Sequence, residues 1–236
     1  MKRTKLVKPL AATAIGTELM VWGASAFADD TAALTVKGNI IPSACVPTFS
    51  GGGVVDFGTI KTVDLNANNY NNVGTRGAQL TISCQSEKAV VVGVSDNQSA
   101  SSLGADIIST AFDPKGKVYS SDYVYGLGAT NVDGKQVSLG SYVLSGKLKV
   151  DGANQDLVHQ ENGTWQILDF GSALMFSKNG AYGPFKVTST TGGEVMKGRK
   201  FIYDFQVTAV LNKGSLLALN EEVPLNGNAT FTITYW

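Results

Sequence analysis

Residues 228–235, at the end of the chain, alternate strictly between polar and apolar side chains. The apolar positions are Ala229, Phe231, Ile233 and Tyr235, and Trp236 follows them. A period of two without glycine or proline predicts a β-strand with one apolar face. Covering the side chains of Phe231 and Ile233 would contribute about 3 to 6 kcal/mol together. This strand must therefore dock either in the protein's own sheet or on an edge that another chain supplies.

The first 28 residues predict a removable export signal. A basic head contains Lys2, Arg3, Lys5 and Lys8, and residues 10–21 are mostly apolar. The small residues Ala26 and Ala28 flank Phe27 directly before Asp29, in the small-x-small form that signal peptidase requires. No other run approaches the roughly 18 apolar residues of a membrane span. We therefore expect the mature chain to be residues 29–236, folded as a single domain outside the cytoplasm.

The charge balance of the mature chain argues against nucleic acid as a partner. Removing four basic and one acidic residue from a chain with 19 of each leaves a net charge of −3. No block of five or more like charges occurs. A protein that binds nucleic acid or an anionic membrane surface usually carries a basic patch. We therefore expect neither of them as a partner.

The two cysteines, Cys45 and Cys84, predict one structural disulfide. They are the only cysteines of the chain, both follow the signal, and both lie beside extended segments. A redox pair would need CxxC spacing, and a metal site would need histidine neighbours, and neither is present. In an oxidising compartment, such an even and minimal count is typical of a disulfide bond.

Short alternating segments along the mature chain predict an all-β protein. The predicted strands cover residues 34–40, 80–84, 90–94, 123–127, 137–144, 148–150, 165–168, 175–176 and 201–211. The Asn-rich stretch 66–77 is predicted to be a long loop, and helical periodicity is weak throughout. Many short strands with Gly and Asn turns indicate an antiparallel β-sandwich.

Residues that could carry chemistry are scarce. His159 is the only histidine, and it lies in a polar stretch that predicts a solvated loop. The run Gly51-Gly52-Gly53 has no following GKS or GKT, so it indicates a hinge or bulge before another strand at Val54 rather than a phosphate cradle. We therefore expect no catalytic, cofactor or metal site, and we interpret the chain as a non-enzyme.

Several motifs resemble those of exported bacterial fimbrial proteins. Ser43-Ala44-Cys45, Leu80-Thr81-Ile82-Ser83-Cys84 and the terminal alternating strand resemble subunits assembled by a chaperone and an usher. The motifs ACVP at 44–47, GGGVVDFG at 51–58, YGLG at 125–128 and GNAT at 227–230 resemble the GltF-like family more closely. The resemblance spans about residues 34–236.

This resemblance implies a fold and a set of partners. It implies an immunoglobulin-like sandwich that lacks one strand, with an apolar groove that a chaperone strand and then a subunit strand would fill. The implied partners are a periplasmic chaperone, an usher and other fimbrial subunits, in the periplasm or at the cell-surface fimbrium of a Gram-negative bacterium. The implied partner strand is Ala229, Phe231, Ile233, Tyr235 and Trp236.

Two departures leave alternatives open. Fimbrial subunits usually carry glycine at the position of Val223, and they carry a donor segment ahead of their first strand, whereas only residues 29–33 precede the strand predicted at Leu34. A subunit that accepts but does not donate a strand is compatible with this pattern. The second hypothesis is a self-contained periplasmic or secreted binding protein. Its ligand could be a glycan that stacks on Trp165, Tyr182 or another exposed aromatic. The third hypothesis is a secreted hydrolase.

Overall fold

The structure, a computed structural model, describes residues 34–40, 44–104, 121–161, 164–167, 174–175, 185–187, 195–217, 219 and 221–236. The chain divides into two compact units, Met1–Ile41 and Pro42–Trp236. The predicted signal, residues 1–28, lies outside the described residues. Within those residues, no helix has the length and hydropathy that a membrane span requires.

The first unit contains no strand in its described part, residues 34–40. The strand predicted there is wrong. Leu34, Val36 and Ile40 alternate with polar residues, but they are 90%, 87% and 100% exposed. An alternating pattern needs a neighbouring strand to supply hydrogen bonds before it becomes part of a sheet, and the pattern alone does not provide that neighbour.

The second unit is built from strands. The strands within its described residues are β1 (Cys45–Phe49), β2 (Asn71–Asp96), β3 (Tyr125–Gly126), β4 (Ala129–Val132), β5 (Lys135–Ser138), β6 (Gly140–Val150), β7 (Ala153–Gln155), β8 (Leu157–Glu161), β9 (Thr164–Ile167), β10 (Leu174–Met175), β11 (Phe185–Val187), β12 (Lys197–Leu211) and β13 (Ala229–Tyr235). Every pairing among these strands is antiparallel. This confirms the predicted all-β antiparallel sandwich.

The sandwich has two layers, and the long strand β2 takes part in both of them. Its first part pairs with β1 on one side and with β12 on the other, and β12 continues to β6 and β10. Its last part, Val90–Asp96, pairs with β13, and residues Val91 and Val92 pair with β11 on the opposite side. One chain segment therefore leads from one layer of the sandwich to the other.

The extent of β2 corrects two predictions. The stretch 66–77 was predicted to be a loop, but β2 begins at Asn71 and pairs along β12 as far as Leu211. The segments 80–84 and 90–94 were predicted to be separate strands, and they are parts of this single strand. The apolar face of β12 is buried, so its backbone N–H and C=O groups need a neighbouring strand as hydrogen-bond partner. The polar start of β2 is extended because it supplies that strand.

Other predicted strand limits also differ. Within residues 123–127 only β3 is a strand, and residues 137–144 divide between β5 and β6 at Leu139. The predicted strand at Val54 is absent, since residues 54–61 have no regular secondary structure. The turn predicted at Asp151-Gly152 is confirmed, with positive φ at both residues.

The core follows the alternation predicted for β12. Every second side chain of this strand is buried: Phe201, Tyr203, Phe205, Val207, Ala209 and Leu211. They pack with Leu80 and Ile82 of β2 and with Leu144 and Leu148 of β6 in one hydrophobic cluster. Burial of each large side chain contributes about 1.5–3 kcal/mol, so this cluster is the main source of stability.

The predicted disulfide is present. Cys45 and Cys84 face each other in the register of β1 and β2, with an S–S distance of 2.05 Å and a Cα–Cα distance of 4.0 Å. The bond attaches the first strand to the long strand at the edge of the core.

Candidate functional site

The last strand, β13, docks in the protein's own second sheet. Ala229, Phe231 and Ile233 are half-buried and pack against the core, whereas the threonines between them are exposed. Tyr235 shares their face, but it is 38% exposed, and Trp236 is 57% exposed. The apolar face predicted for this strand therefore contacts the core for three of its four positions, and its last two residues present aromatic rings to solvent.

The hydrogen bonds between β13 and β2 use one of the two edges of β13. Trp236 and Ala89 exchange two backbone hydrogen bonds of 3.2 Å, and Asn97 N donates to Asn228 O at 3.0 Å. In an antiparallel pair, alternate residues direct their backbone groups toward the partner strand. The even-numbered residues of β13 therefore bond to β2, and the odd-numbered residues, 229 to 235, direct their N–H and C=O groups away from it. Among the described residues, no strand pairs with that outer edge.

Three aromatic rings form an apolar floor beside this edge. The ring of Phe231 packs edge-on against Phe49, with centroids 5.1 Å apart, and it lies 5.2 Å from Phe205. Phe49 and Phe205 are 6.4 Å apart. Aromatic pairs of this kind add about 0.5–1.5 kcal/mol beyond the burial of their area. The three rings join the end of β1, the middle of β12 and the first half of β13.

An apolar groove with a volume of about 720 Å³ opens beside this floor. Its walls come from β12, from the segment that follows β1 and from the residues before β13. The apolar lining includes Val55, Phe57, Val207, Leu219, Val223 and Leu225. The groove thus lies next to the first part of β13, since Ala229 and Phe231 are among its lining residues.

The wall opposite β13 begins at a glycine turn. Gly51, Gly52 and Gly53 have φ angles of 58°, 67° and 80°, which side chains rarely allow. After this turn, Val55 and Phe57 are half-buried against the core. The predicted hinge is thus a turn of three left-handed glycines within Ser50–Gly53, and the chain that follows it lines the groove.

Two side-chain contacts fix the position of this wall. The guanidinium of Arg76 lies 5.4 Å above the ring of Phe57, and Gly58 N donates a 2.7 Å hydrogen bond to Asp56 Oδ1. No strand among the described residues pairs with residues 54–61. This wall was missed from the sequence, although the alternation of Val55 and Phe57 around Asp56 is a signal for it.

The residues considered for chemistry lie on β8, on β9 or outside the described residues. His159 lies in β8, so the predicted loop position is wrong. A strand forms there because the buried residues Leu157 and Val158 anchor it to β11. Trp165 lies in β9, and Tyr182 lies outside the described residues. Across the described ranges, no three His, Cys, Asp or Glu side chains are placed to hold a metal ion.

The buried tyrosines mark the interior near the groove. Burial raises the pKa of Tyr203, and burial raises the pKa of Tyr142, which also lies near the carboxylate of Asp96. The ring of Tyr142 stacks on Tyr125 at 5.1 Å. These phenols therefore stay neutral in the folded chain over the whole physiological range.

Comparisons with known proteins agree with the predicted resemblance. A family model described as "Protein of unknown function (DUF1120)" matches residues 34–143, which include β1, the groove wall after it and β2. Protein GltF of Escherichia coli (strain K12) is 24% identical over 261 aligned positions, covering 97% of this chain and 98% of GltF. Uncharacterized protein YhcF of the same organism is 25% identical, covering 89% of this chain and 93% of YhcF. The resemblance to the GltF-like family is confirmed along nearly the full length of the chain.

Proposed function

We propose that this GltF-like protein is an exported structural or adhesive subunit of the fimbrial type. In this proposal it is a non-enzyme that binds a β-strand of a periplasmic chaperone and then a strand of a partner subunit. The groove beside β13 is the site of strand addition. The predicted export signal, the disulfide and the resemblance to fimbrial subunits support a location in the periplasm or at the cell surface of a Gram-negative bacterium.

The observation that carries this proposal is the open outer edge of β13 beside an apolar groove. The backbone groups of the odd-numbered residues of β13 point away from β2, and no strand of the described residues receives them. Two of these residues, Ala229 and Phe231, also line the groove. An unpaired edge next to apolar side chains is a template for another strand. Strand addition would satisfy these groups and fill the groove with alternate side chains.

The aromatic floor gives such a strand a place for its apolar side chains. Phe49, Phe205 and Phe231 line the groove together with Val55 and Phe57. Each large apolar side chain that enters would gain about 1.5–3 kcal/mol from burial. This gain would add to that from the backbone hydrogen bonds that the edge of β13 can make.

The position of β1 removes one objection to strand donation by this chain. A donor segment seemed too short because a strand was predicted from Leu34, but the first strand of the sandwich begins at Cys45. Residues 34–40 lie ahead of it, with alternate apolar side chains exposed. In our proposal the chain can therefore donate a strand as well as accept one.

Hydrogen exchange of individual backbone amides tests the proposal. In the free mature chain, we expect fast exchange at the outward amides of Phe231 and Ile233 and slow exchange at Thr232 and Thr234, which bond to β2. Addition of a peptide that binds as a strand should slow the outward amides selectively and raise the melting temperature.

Two results would contradict strand addition. One is slow exchange of the outward amides in a monodisperse free chain, which would mean that the chain completes its own sheet. The other is peptide binding that protects amides elsewhere and leaves β13 unchanged. The self-contained periplasmic protein would then be the better interpretation.

A further inference from the structure

The charged residues that line the groove all have the same sign. They are Asp56, Glu221 and Glu222, and the groove lining contains no lysine or arginine. All three carboxylates are exposed. Within the described part of the chain, none of them lies within 4 Å of a cationic side chain. The groove therefore combines an apolar interior with a negatively charged rim.

Burial of the neighbouring residues places these carboxylates at the rim. Val55 and Phe57 are half-buried, and Asp56 between them is exposed, with its Oδ1 held by the amide of Gly58 at 2.7 Å. On the other side, Val223 is half-buried, and Glu222 before it is exposed. An added strand would direct alternate side chains into the groove, and the side chains between them would meet this acidic rim.

We infer that the groove selects a basic strand. Its occupant is a polypeptide segment with apolar side chains at alternate positions, a lysine or arginine at an intervening position, and no acidic residue. This inference rests on the proposed strand addition and specifies the chemistry of the strand that is added. Opposite charges across neighbouring strands attract, and like charges repel, so an acidic strand of equal hydrophobicity binds less tightly.

Arg76, a cation that contacts the groove wall, forms no ion pair with the rim carboxylates. Arg76 lies over the ring of Phe57, and its Nη1 donates to the backbone oxygen of Thr75 at 3.1 Å. Its guanidinium therefore contacts β2 and the groove wall. A lysine on an incoming strand could form an ion pair with Asp56 or Glu222, which no cation of the described residues forms.

Residues 33–41 of this chain provide a probe with the required chemistry. Leu34, Val36 and Ile40 occupy alternate positions, and Lys37 between them is the only charged residue of the segment. An acetylated and amidated peptide of these residues carries a single positive charge. The same peptide with Lys37→Glu differs in the sign of that charge and keeps the apolar positions.

The experiment compares the two peptides on the full mature chain by titration calorimetry, with exchange of the β13 amides as the readout for the site. We expect the Lys37→Glu peptide to bind about three- to tenfold more weakly, as for exposed charge pairs. Raising the ionic strength from about 0.1 M to about 1 M shortens the screening length from about 10 Å to about 3 Å and should remove most of this difference. The Glu221→Lys, Glu222→Lys double variant should reverse the preference, and Glu87→Lys, an exposed position outside the groove, should preserve it.

The outcomes separate the two proposals. Equal affinity of both peptides, with protection of β13 amides, would overturn the inferred charge selection and leave strand addition intact. A preference that survives in the Glu221→Lys, Glu222→Lys double variant would also overturn it. Absence of binding by either peptide to a folded chain would overturn strand addition and the charge selection together.

Discussion

Phe231, on the last strand, packs edge-on against Phe49, at the end of the first strand, with ring centroids 5.1 Å apart. The two residues are separated by most of the chain, yet they form one apolar surface with Phe205. The same contact stabilises the fold and lines the groove. Substitutions here therefore affect both folding and partner binding.

Phe231→Ala should lower the free energy of unfolding by about 2–4 kcal/mol, since it removes a half-buried ring with two aromatic neighbours. Urea unfolding followed by tryptophan fluorescence measures this change. Thr232→Ala, at an exposed position of the same strand, is the matched control and should change stability by less than about 0.5 kcal/mol. Equal effects of the two substitutions would mean that Phe231 does not contact the core.

Removing the disulfide should destabilise the chain strongly. By the loop-entropy relation, a bond between residues 39 positions apart contributes about 4 kcal/mol. The Cys45→Ala, Cys84→Ala double variant should therefore unfold at a much lower urea concentration. The reductant dithiothreitol should destabilise the wild-type chain similarly and leave the double variant unaffected, and a large effect on that variant would contradict this explanation.

Some elements were predictable because one segment contains the whole signal. The alternation of β12 and of β13 identifies their buried faces, since each strand pairs along a continuous neighbour. The cysteine pair was predictable from composition. The start of β2 was not, because its Asn and Gly residues favour turns and become extended only by pairing with β12. Likewise, residues 34–40 have the pattern of a strand but no strand structure.

The groove was predictable only in part. Its β13 side follows from the terminal alternation, whereas its other wall depends on a glycine turn that brings Val55 and Phe57 back over the core. Val55 and Phe57 are half-buried but do not belong to a strand, so their alternation with Asp56 does not indicate a sheet. The acidic rim depends on distant segments that meet only after folding.

Glycine is required at Gly140 by close packing. A methyl group there would overlap the carbonyl oxygen of Val210 and lie within 3 Å of Leu211 Cα. Gly140→Ala should therefore cost about 1–3 kcal/mol, as overpacking does. Gly77→Ala is the matched control, because its methyl would meet its nearest neighbour at 4.0 Å. Thermal unfolding of both variants measures the contrast, and comparable losses would argue against the close approach of β6 and β12.

Alkaline pH should unfold the chain through its buried tyrosines. Burial raises the pKa of Tyr203 above its ordinary value of 10.0, and Tyr125 and Tyr142 are raised in the same direction. Above about pH 10 the tyrosines of the unfolded chain release protons, while those of the folded chain keep them. The stability that the neutral phenols contribute is therefore fully present below about pH 10. Above that pH, the free energy of unfolding falls by about 1.4 kcal/mol per pH unit for each tyrosine. In urea titrations between pH 9 and 11, Tyr203→Phe should reduce the pH dependence of the free energy of unfolding by the contribution of one tyrosine. An unchanged slope would show that Tyr203 ionises freely in the folded chain.

Proline substitutions in β13 should distinguish its two edges. The amide of Ala229 points away from β2 and that of Thr232 points toward it, so proline at 232 removes a ladder hydrogen bond and proline at 229, the first residue of the strand, does not. We expect Thr232→Pro to cost about 3 kcal/mol or more, and we expect Ala229→Pro to cost less than about 1 kcal/mol because the first position of a strand tolerates proline. Thr232→Ala separates the loss of the side chain from the loss of the amide.

In the peptide titration, Ala229→Pro should weaken strand binding at nearly wild-type stability, because it removes a donor from the open edge. Unchanged peptide affinity with Ala229→Pro would place the added strand elsewhere, and equal destabilisation by both prolines would mean that the outer edge of β13 is already paired in the folded chain.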